Sequence, residues 1–283
     1  MPAVLRERHV LNRAGRRIHV SDWGDPLDPR TPVLGLPGYA RTARDFEHVA
    51  GRLAPRRLVS LDYRGRGRSD YEPDWRNYDP RGLVDDIRQV TVATGLHRFV
   101  AVGTSLGGIL AMALAVAMPA ALAGAVLNDV GPAAVTNGAD YLIDYMGRDR
   151  PQPNWPSAVA ELQRNIPNMS LQTDEEWLTF ARNTFRKGDD GLLQIDWDPA
   201  VVKPLQRGAA RETDLWPLFR ALRPVPVLAI RGGVSMLLSA ETFDAMAVAH
   251  PHMRRVTLDG VGHAPTLDEP SLRLALDDFL NAI

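Results

Sequence analysis

Cysteine is absent from all 283 residues. That excludes a disulfide framework, a thiolate nucleophile and cysteine-ligated zinc, and it suits a reducing compartment. An excess of either charge is also absent. With 33 basic side chains against 34 acidic ones, the chain carries no footprint for nucleic acid or an anionic membrane. Apolar runs of membrane-spanning length are missing as well. The opening Met-Pro-Ala-Val-Leu-Arg-Glu-Arg-His lacks the core of a secretory signal. The stretch from Ile109 to Leu127 is uncharged, but Pro119 interrupts it and alanine dominates it. It reads as a buried helix and the next strand rather than a span. A soluble, cytoplasmic protein with no membrane or nucleic-acid partner is expected. There are no internal repeats or low-complexity segments.

What is present centres on Val100-Ala-Val-Gly-Thr-Ser-Leu-Gly-Gly108. The apolar run Phe99 to Val102 stops at Gly103, a small-residue turn follows, and Ile109-Leu-Ala-Met-Ala-Leu-Ala-Val reads as a buried helix. Ser105 therefore sits at the apex of a strand–turn–helix, with Gly103 and Gly107 two residues to either side. A nucleophile on such a strained turn needs nearly bare neighbours, and the helix aims its N-terminal N–H groups at charge developing nearby.

Along the chain, strand and helix patterns alternate. Arg8 to Arg13 and Arg17 to Trp23 read as a hairpin around Ala14-Gly15. Thr31 to Leu36 is a buried strand ending at Pro37-Gly38-Tyr39, and Thr42 reads as the cap of a helix to about Leu53. Arg57 to Leu61 is the next strand. Asp79 and Pro80 have the cap and first-turn chemistry of a further helix. Gly124 to Val130, Pro224 to Arg231 and Arg254 to Leu258 complete the strands, with helices opening at Ser239 and Pro270. Between Gly131 and about Arg211 no strand pattern recurs. Short helical stretches (Asn137 to Met146, Ala158 to Arg164, Asp174 to Phe185) alternate with Pro- and Asn-rich joins. The expected architecture is α/β: a mainly parallel sheet with helices on both faces, from residues 1–131 and 212–283, and a helical cap from 132–211.

A serine hydroxyl needs a base within hydrogen-bond reach. His9 and His19 lie in the hairpin, His48 lies mid-helix, His97 precedes a strand, and His250 and His252 join a helix to a strand. Only His263 occupies a Gly-flanked loop beyond the last strand, free to bend back to a strand-end nucleophile. His250-Pro-His252 lacks a third ligand for a metal and is expected to be a solvated link. No cofactor or metal is expected.

At this point the chain resembles the α/β-hydrolase superfamily. The resemblance runs over nearly the whole length and rests on Pro37-Gly38-Tyr39, Asp62-x-Arg64-Gly65-x-Gly67-x-Ser69, Gly103-x-Ser105-x-Gly107 and Gly262-His263. It implies Ser105 as nucleophile, His263 as general base, and an oxyanion hole from the backbone N–H groups of Tyr39 and Leu106. Many relatives have His-Gly where this chain has Pro37-Gly38, so a histidine side-chain contact is lost there while the backbone role remains. Most relatives place the acid in a loop reading much like Arg-Gly-x-x-Ser-Asp-Leu-Leu-Ser, where this chain reads Arg231-Gly-Gly-Val-Ser-Met-Leu-Leu-Ser239. The expected carboxylate position is thus Met236. Either the acid has moved to Asp129, after the strand that follows the nucleophile helix as in some family members, or it is lost and activity is impaired. Asp259 sits too close to the histidine loop to be the better candidate.

The run Asp62 to Asp70 lacks the third glycine of a dinucleotide fingerprint and opens no helix, so its Arg64 and Asp62 are expected to tie loops together. In the insertion, Tyr141, Tyr145, Trp155, Trp177, Phe180, Phe185 and Trp197 should form a small core, with a few lining a cleft over Ser105. The leading expectation is a cofactor-free serine hydrolase of apolar or aromatic carboxylic esters or lactones. The alternatives are carbon–carbon bond hydrolysis of ring-cleavage products and a ligand-binding protein with an inert pocket.

Overall fold

Residues 4–133, 139–209 and 214–283 of the computed structural model are described below. The hairpin of β1 (Leu5–Leu11) and β2 (Arg17–Trp23) starts the chain, followed by β3 (Val33–Leu36), β4 (Leu58–Leu61), β5 (Phe99–Thr104) and β6 (Leu122–Asn128). A separate small hairpin, β7 (Phe185–Lys187) with β8 (Leu193–Ile195), lies in the insertion, and β9 (Val227–Gly232) and β10 (Arg254–Leu258) return to the main sheet. The eight main strands run in the order β1-β2-β4-β3-β5-β6-β9-β10. β1, β2 and β4 pair antiparallel, and every pairing from β4 through β10 is parallel. The expected α/β class holds.

Alternation along the strands divides the interior in two. Leu34, Leu36, Phe99, Ala101, Val227 and Ala229 face one core, where α2 (Pro80–Ala93), α3 (Leu106–Ala117), α7 (Trp216–Arg220) and α8 (Ala240–Ala249) pack. Val33, Val100, Val102, Leu228 and Ile230 face the other, covered by α1 (Glu47–Leu53) and α9 (Pro270–Asn281). Because both faces are covered, the central strands read as unbroken apolar runs. Successive connections carry the chain from β3 outward to β4 and then back past β3 to β5. Order reverses between β3 and β5, and the strand ends at such a crevice are the usual place for a ligand in an open α/β sheet.

Local chemistry accounts for several boundaries. Asp79 caps α2 by accepting from the N–H groups of Arg81 and Gly82, with Pro80 at the first position. Ser239 caps α8 through the Thr242 N–H. The helix expected from Thr42 is instead a 3-10 turn, Ala43–Phe46, leading into α1. Its first donor, Ala43 N–H, is satisfied by Asp62 across the sheet at 2.7 Å, not by Thr42. β1 ends before Asn12, whose side chain accepts from the N–H groups of Ala14 and Arg16 and closes the turn itself.

The insertion contains α4 (Ala139–Met146), α5 (Trp155–Asn165) and α6 (Asp174–Thr184). Asn154 caps α5, and a reciprocal capping box between Thr173 and Glu176 starts α6. The expected absence of strands is corrected by β7 and β8. Phe185 leaves α6 to begin β7, and the Gly188–Gly191 turn between the two strands is closed by Gly188 N–H to Leu192 O. Strands of three residues with exposed Arg186 and Lys187 carry no readable alternation. The expected start of the first insertion helix at Asn137 and the expected boundary at 211–212 lie outside the described residues. Among the described residues no helix is long and apolar enough to cross a membrane.

Candidate active site

Ser105 stands where β5 turns into α3, with φ 53° and ψ −117°. A non-glycine residue in that region is strained and persists only where its surroundings hold it. Here the two flanking glycines are needed for space. A Cβ on Gly103 would meet the Gly107 backbone, and one on Gly107 would land on the Leu36 carbonyl of β3. The serine's own N–H donates to Asn128 O at 3.0 Å, tying the turn to β6.

His263, distant in sequence, meets this serine, and Asp129 meets His263 in turn. His263 Nε2 lies 3.0 Å from Ser105 Oγ, and its Nδ1 lies 2.8 Å from Asp129 Oδ2. With the proton on Nδ1 donated to the carboxylate, Nε2 is left as the acceptor for the serine hydroxyl. Asp129 is wholly buried at the end of β6, with φ 55°. Its remaining acceptor capacity is filled by Gly232 N–H at 2.8 Å and the Ser235 hydroxyl at 2.6 Å. A buried carboxylate with three donors is held in one orientation.

The expected alternatives for the acid separate clearly in space. Met236 is 57% exposed at the cleft wall, while its neighbour Ser235 reaches back to Asp129. Asp259 lines the cleft but is not the partner of His263 Nδ1. Ser235 carries no signal as a site residue in the sequence. Asn128 Nδ2 donates to Pro265 O at 2.8 Å and Thr104 Oγ1 at 3.0 Å, joining the histidine loop to the serine strand. Its position directly before Asp129 is the only hint the sequence offers.

Tyr39 and Leu106 both adjoin the serine turn. Leu106 is the first residue of α3, where an N–H has no partner within the helix and the dipole is positive. Tyr39 follows Gly38, and a Cβ on Gly38 would come within 3.9 Å of Ser105 Cβ. Tyr39 donates its hydroxyl to Val201 O in the insertion at 2.8 Å, and burial raises its pKa, so the phenol stays neutral.

A cleft of about 1140 Å³ opens over the serine. Tyr141, Tyr145, Phe180 and Trp197 of the insertion line it, together with Met236 and Leu237 of the core. Trp155, Trp177 and Phe185 pack instead into the insertion's own cluster. Desolvation pushes the Tyr145 phenol up to about 12, so it too is a neutral donor. Arg41 crosses the cleft wall with its guanidinium on Asp45 (2.7 and 2.6 Å) and 4.1 Å above the Phe180 ring. His48, read from the sequence as mid-helix, lies on α1 at the cleft lining.

The remaining sequence candidates take structural places. Asp62 accepts from Ala43 and Arg68 N–H, and Arg64 bonds Asp86 at 2.7 Å and Asn77 O at 3.1 Å, so both tie loops together. The solvated link expected at His250 is corrected: His250 is buried, its Nε2 within 3.3 Å of Leu222 O and Val225 O, where it ties the end of α8 to the segment that joins α7 to β9. Among the described residues no group of three His, Asp or Glu side chains is arranged to hold a metal ion.

Known proteins share this arrangement of sheet and insertion. The family model described as "Alpha/beta hydrolase family" matches residues 33–276. A 3-hydroxybutyrate-oligomer hydrolase of Cupriavidus necator is 32% identical over 264 residues, covering 90% of this chain and 89% of that protein. A 2-(acetamidomethylene)succinate hydrolase of Mesorhizobium japonicum is 26% identical over 290 residues, covering 100% of this chain and 99% of that one. The crystal structure of an alpha/beta hydrolase from Novosphingobium aromaticivorans superposes with a TM-score of 0.92 at 39% identity, covering 99% of both chains. With the family model spanning most of its length and these relatives matched nearly end to end, the chain belongs to the alpha/beta hydrolase family.

Proposed function

We propose that the protein is a serine hydrolase of carboxylic esters, working without a cofactor through Ser105, His263 and Asp129. The observation that carries this reading is the continuous hydrogen-bond chain Ser105–His263–Asp129, at 3.0 and 2.8 Å, opening onto a cleft. In the reaction, Ser105 Oγ attacks the ester carbonyl carbon while His263 Nε2 takes the hydroxyl proton. The carbonyl oxygen becomes an oxyanion between the N–H groups of Leu106 and Tyr39. Collapse of the tetrahedral adduct breaks the C–O bond to the alcohol, and the leaving alkoxide receives the proton from His263. Water then attacks the acyl-serine with the same histidine as base, releasing the carboxylic acid and restoring the hydroxyl. Asp129 keeps the imidazole in the required tautomer and steadies its charged form, so the acid position at Met236 is dispensable.

The cap role of the insertion, approximately residues 132–211, belongs to the same reading: it roofs the serine and supplies the aromatic wall. Tyr141, Tyr145, Phe180 and Trp197 favour an apolar or aromatic acyl or alcohol group, or a lactone of similar size. Kinship with the Cupriavidus necator enzyme makes short 3-hydroxybutyrate esters the first natural substrates to assay.

The test combines labelling with turnover. A fluorophosphonate probe should label Ser105, His263→Ala should abolish labelling, and p-nitrophenyl esters or 3-hydroxybutyrate trimer should be hydrolysed. Ligand binding without labelling would make the protein a receptor instead. Cleavage of a dienoic diketone acid with inert esters would move the reading to carbon–carbon bond hydrolysis on the same serine.

A further inference from the structure

The loop after β4 contains a guanidinium that the proposed chemistry leaves unused. Arg66 is fully buried, which a charged side chain rarely is without a partner. Its hydrogen bonds go to backbone carbonyls: Nε donates to Tyr39 O at 3.0 Å and Nη1 to Arg64 O at 2.8 Å. Nη2 has no hydrogen-bond partner among the described residues. The guanidinium lies over three phenol rings, Tyr39 at 5.1 Å, Tyr78 at 5.7 Å and Tyr63 at 5.9 Å. An aromatic box of this kind holds a cation by its ring faces. Burial lowers the pKa of Arg66, yet an arginine starts far above neutrality and remains charged.

The placement of its Nε bond matters more than the burial. The oxyanion N–H assigned to Tyr39 belongs to the Gly38–Tyr39 peptide. Of the two neighbouring peptides, the one before has its carbonyl, Pro37 O, accepting from Tyr63 OH at 3.2 Å. The one after has its carbonyl, Tyr39 O, accepting from Arg66. Both donors come from the same loop, so the peptide carrying the N–H is bracketed from one side of the sheet. Gly38 is the freest joint a backbone can have, and an unbracketed peptide there could rotate its N–H away from the serine.

Resting on the oxyanion role proposed for Tyr39, we propose that Arg66 is a positioning residue: by holding the Tyr39 carbonyl, with Tyr63 holding Pro37, it aims the Tyr39 N–H at the developing oxyanion. It touches no substrate. A second function of the same segment is purely structural, since Arg66 pairs by its backbone with Trp197, and Gly67 N–H donates to Asp196 O at 2.8 Å, docking the insertion. Replacing the Arg66 side chain leaves those backbone links available.

The experiment compares wild type, Arg66→Met, Arg66→Lys and Tyr63→Phe, with active sites counted by fluorophosphonate titration. The readouts are kcat and KM for p-nitrophenyl butyrate, inhibition by butaneboronic acid, which becomes tetrahedral on a serine, and inhibition by butyrate, which stays planar. Arg66→Met is expected to lose roughly 10- to 100-fold in kcat per active site, the scale of a displaced oxyanion donor. Boronate affinity should fall with it, while KM and butyrate inhibition stay within about twofold, because ground-state binding does not use the hole. Arg66→Lys should fall between. If Arg66→Met does not fold, Tyr63→Phe removes only the other bracket and should show the same pattern more weakly. Unchanged kcat in the folded variants, or a parallel loss of boronate and butyrate binding, overturns the positioning role. A wild-type protein that neither labels nor hydrolyses the ester overturns the hydrolase reading itself, and the role of Arg66 with it.

Discussion

The sheet and the insertion above it are built differently. Every residue of β3, β4 and β6 is buried, and side chains alternate between two cores. In the insertion, α5 and α6 bury two residues each, Ala158 and Leu162, and Ala181 and Thr184. Phe185 and Trp197 are buried there, but Tyr145, Trp155, Trp177 and Phe180 are only partly covered, and polar links bind the insertion to loops and turns of the core: Arg44 to Asp196, Tyr78 to Asp198, and Gly262 N–H to Asn168 O. The densely packed region carries Ser105, Asp129 and His263 at its strand ends. The loosely packed one supplies the aromatic wall. In the proposed reaction, geometry that must hold to a fraction of an ångström would rest on the rigid layer, and shape that sets substrate choice on the adjustable one.

Breaking the triad should give the largest effects. Ser105→Ala or His263→Ala should lower kcat on p-nitrophenyl butyrate by on the order of 10⁶, with the circular dichroism spectrum unchanged. Asp129→Asn should cost about 10⁴ in kcat, because an amide cannot support the required tautomer and charge. A small effect would show that the carboxylate at 2.8 Å from His263 is not the working acid.

The packing contrast is tested next by one cavity in each region. Leu110, fully buried behind the serine in α3, should cost about 2–5 kcal/mol of unfolding free energy as Leu110→Ala in a urea titration. Phe180→Ala, at a half-buried cleft position, should cost about 1 kcal/mol or less. Its main effect should be on KM for aromatic esters, about tenfold, with aliphatic esters less affected. Equal stability losses would erase the distinction between the two regions. Met236→Asp should have the smallest effect, changing kcat by less than about tenfold, if Asp129 supplies the acid as proposed. A gain of orders of magnitude would mean that the native triad is defective.

Much of this was legible in the chain. The turn at Ser105 was readable because steric demand leaves only glycine at 103 and 107, and the helix at Pro80 because Asp79 and Pro80 have fixed terminal chemistry. The β7–β8 hairpin was not, since three-residue strands are too short for a period to show. Thr42 does stand at the cap position, but its side chain makes no capping bond, and the Ala43 N–H beside it is satisfied by Asp62 from the loop after β4. His250 misled because its partners, Leu222 O and Val225 O, lie in the segment between α7 and β9, far from it in the chain.

By itself the sequence determined where strands and helices alternate, where the strained serine turn falls, and which histidine is free to reach it. These depend on spacing and on residue-by-residue conformational preference, which are local. Only the tertiary structure put Asp129, rather than Met236 or Asp259, against His263, and only it placed Ser235, Asn128 and Arg66 around the site. Those contacts join strand ends far apart in the chain. Their distances are set by sheet order and register, which no local pattern encodes.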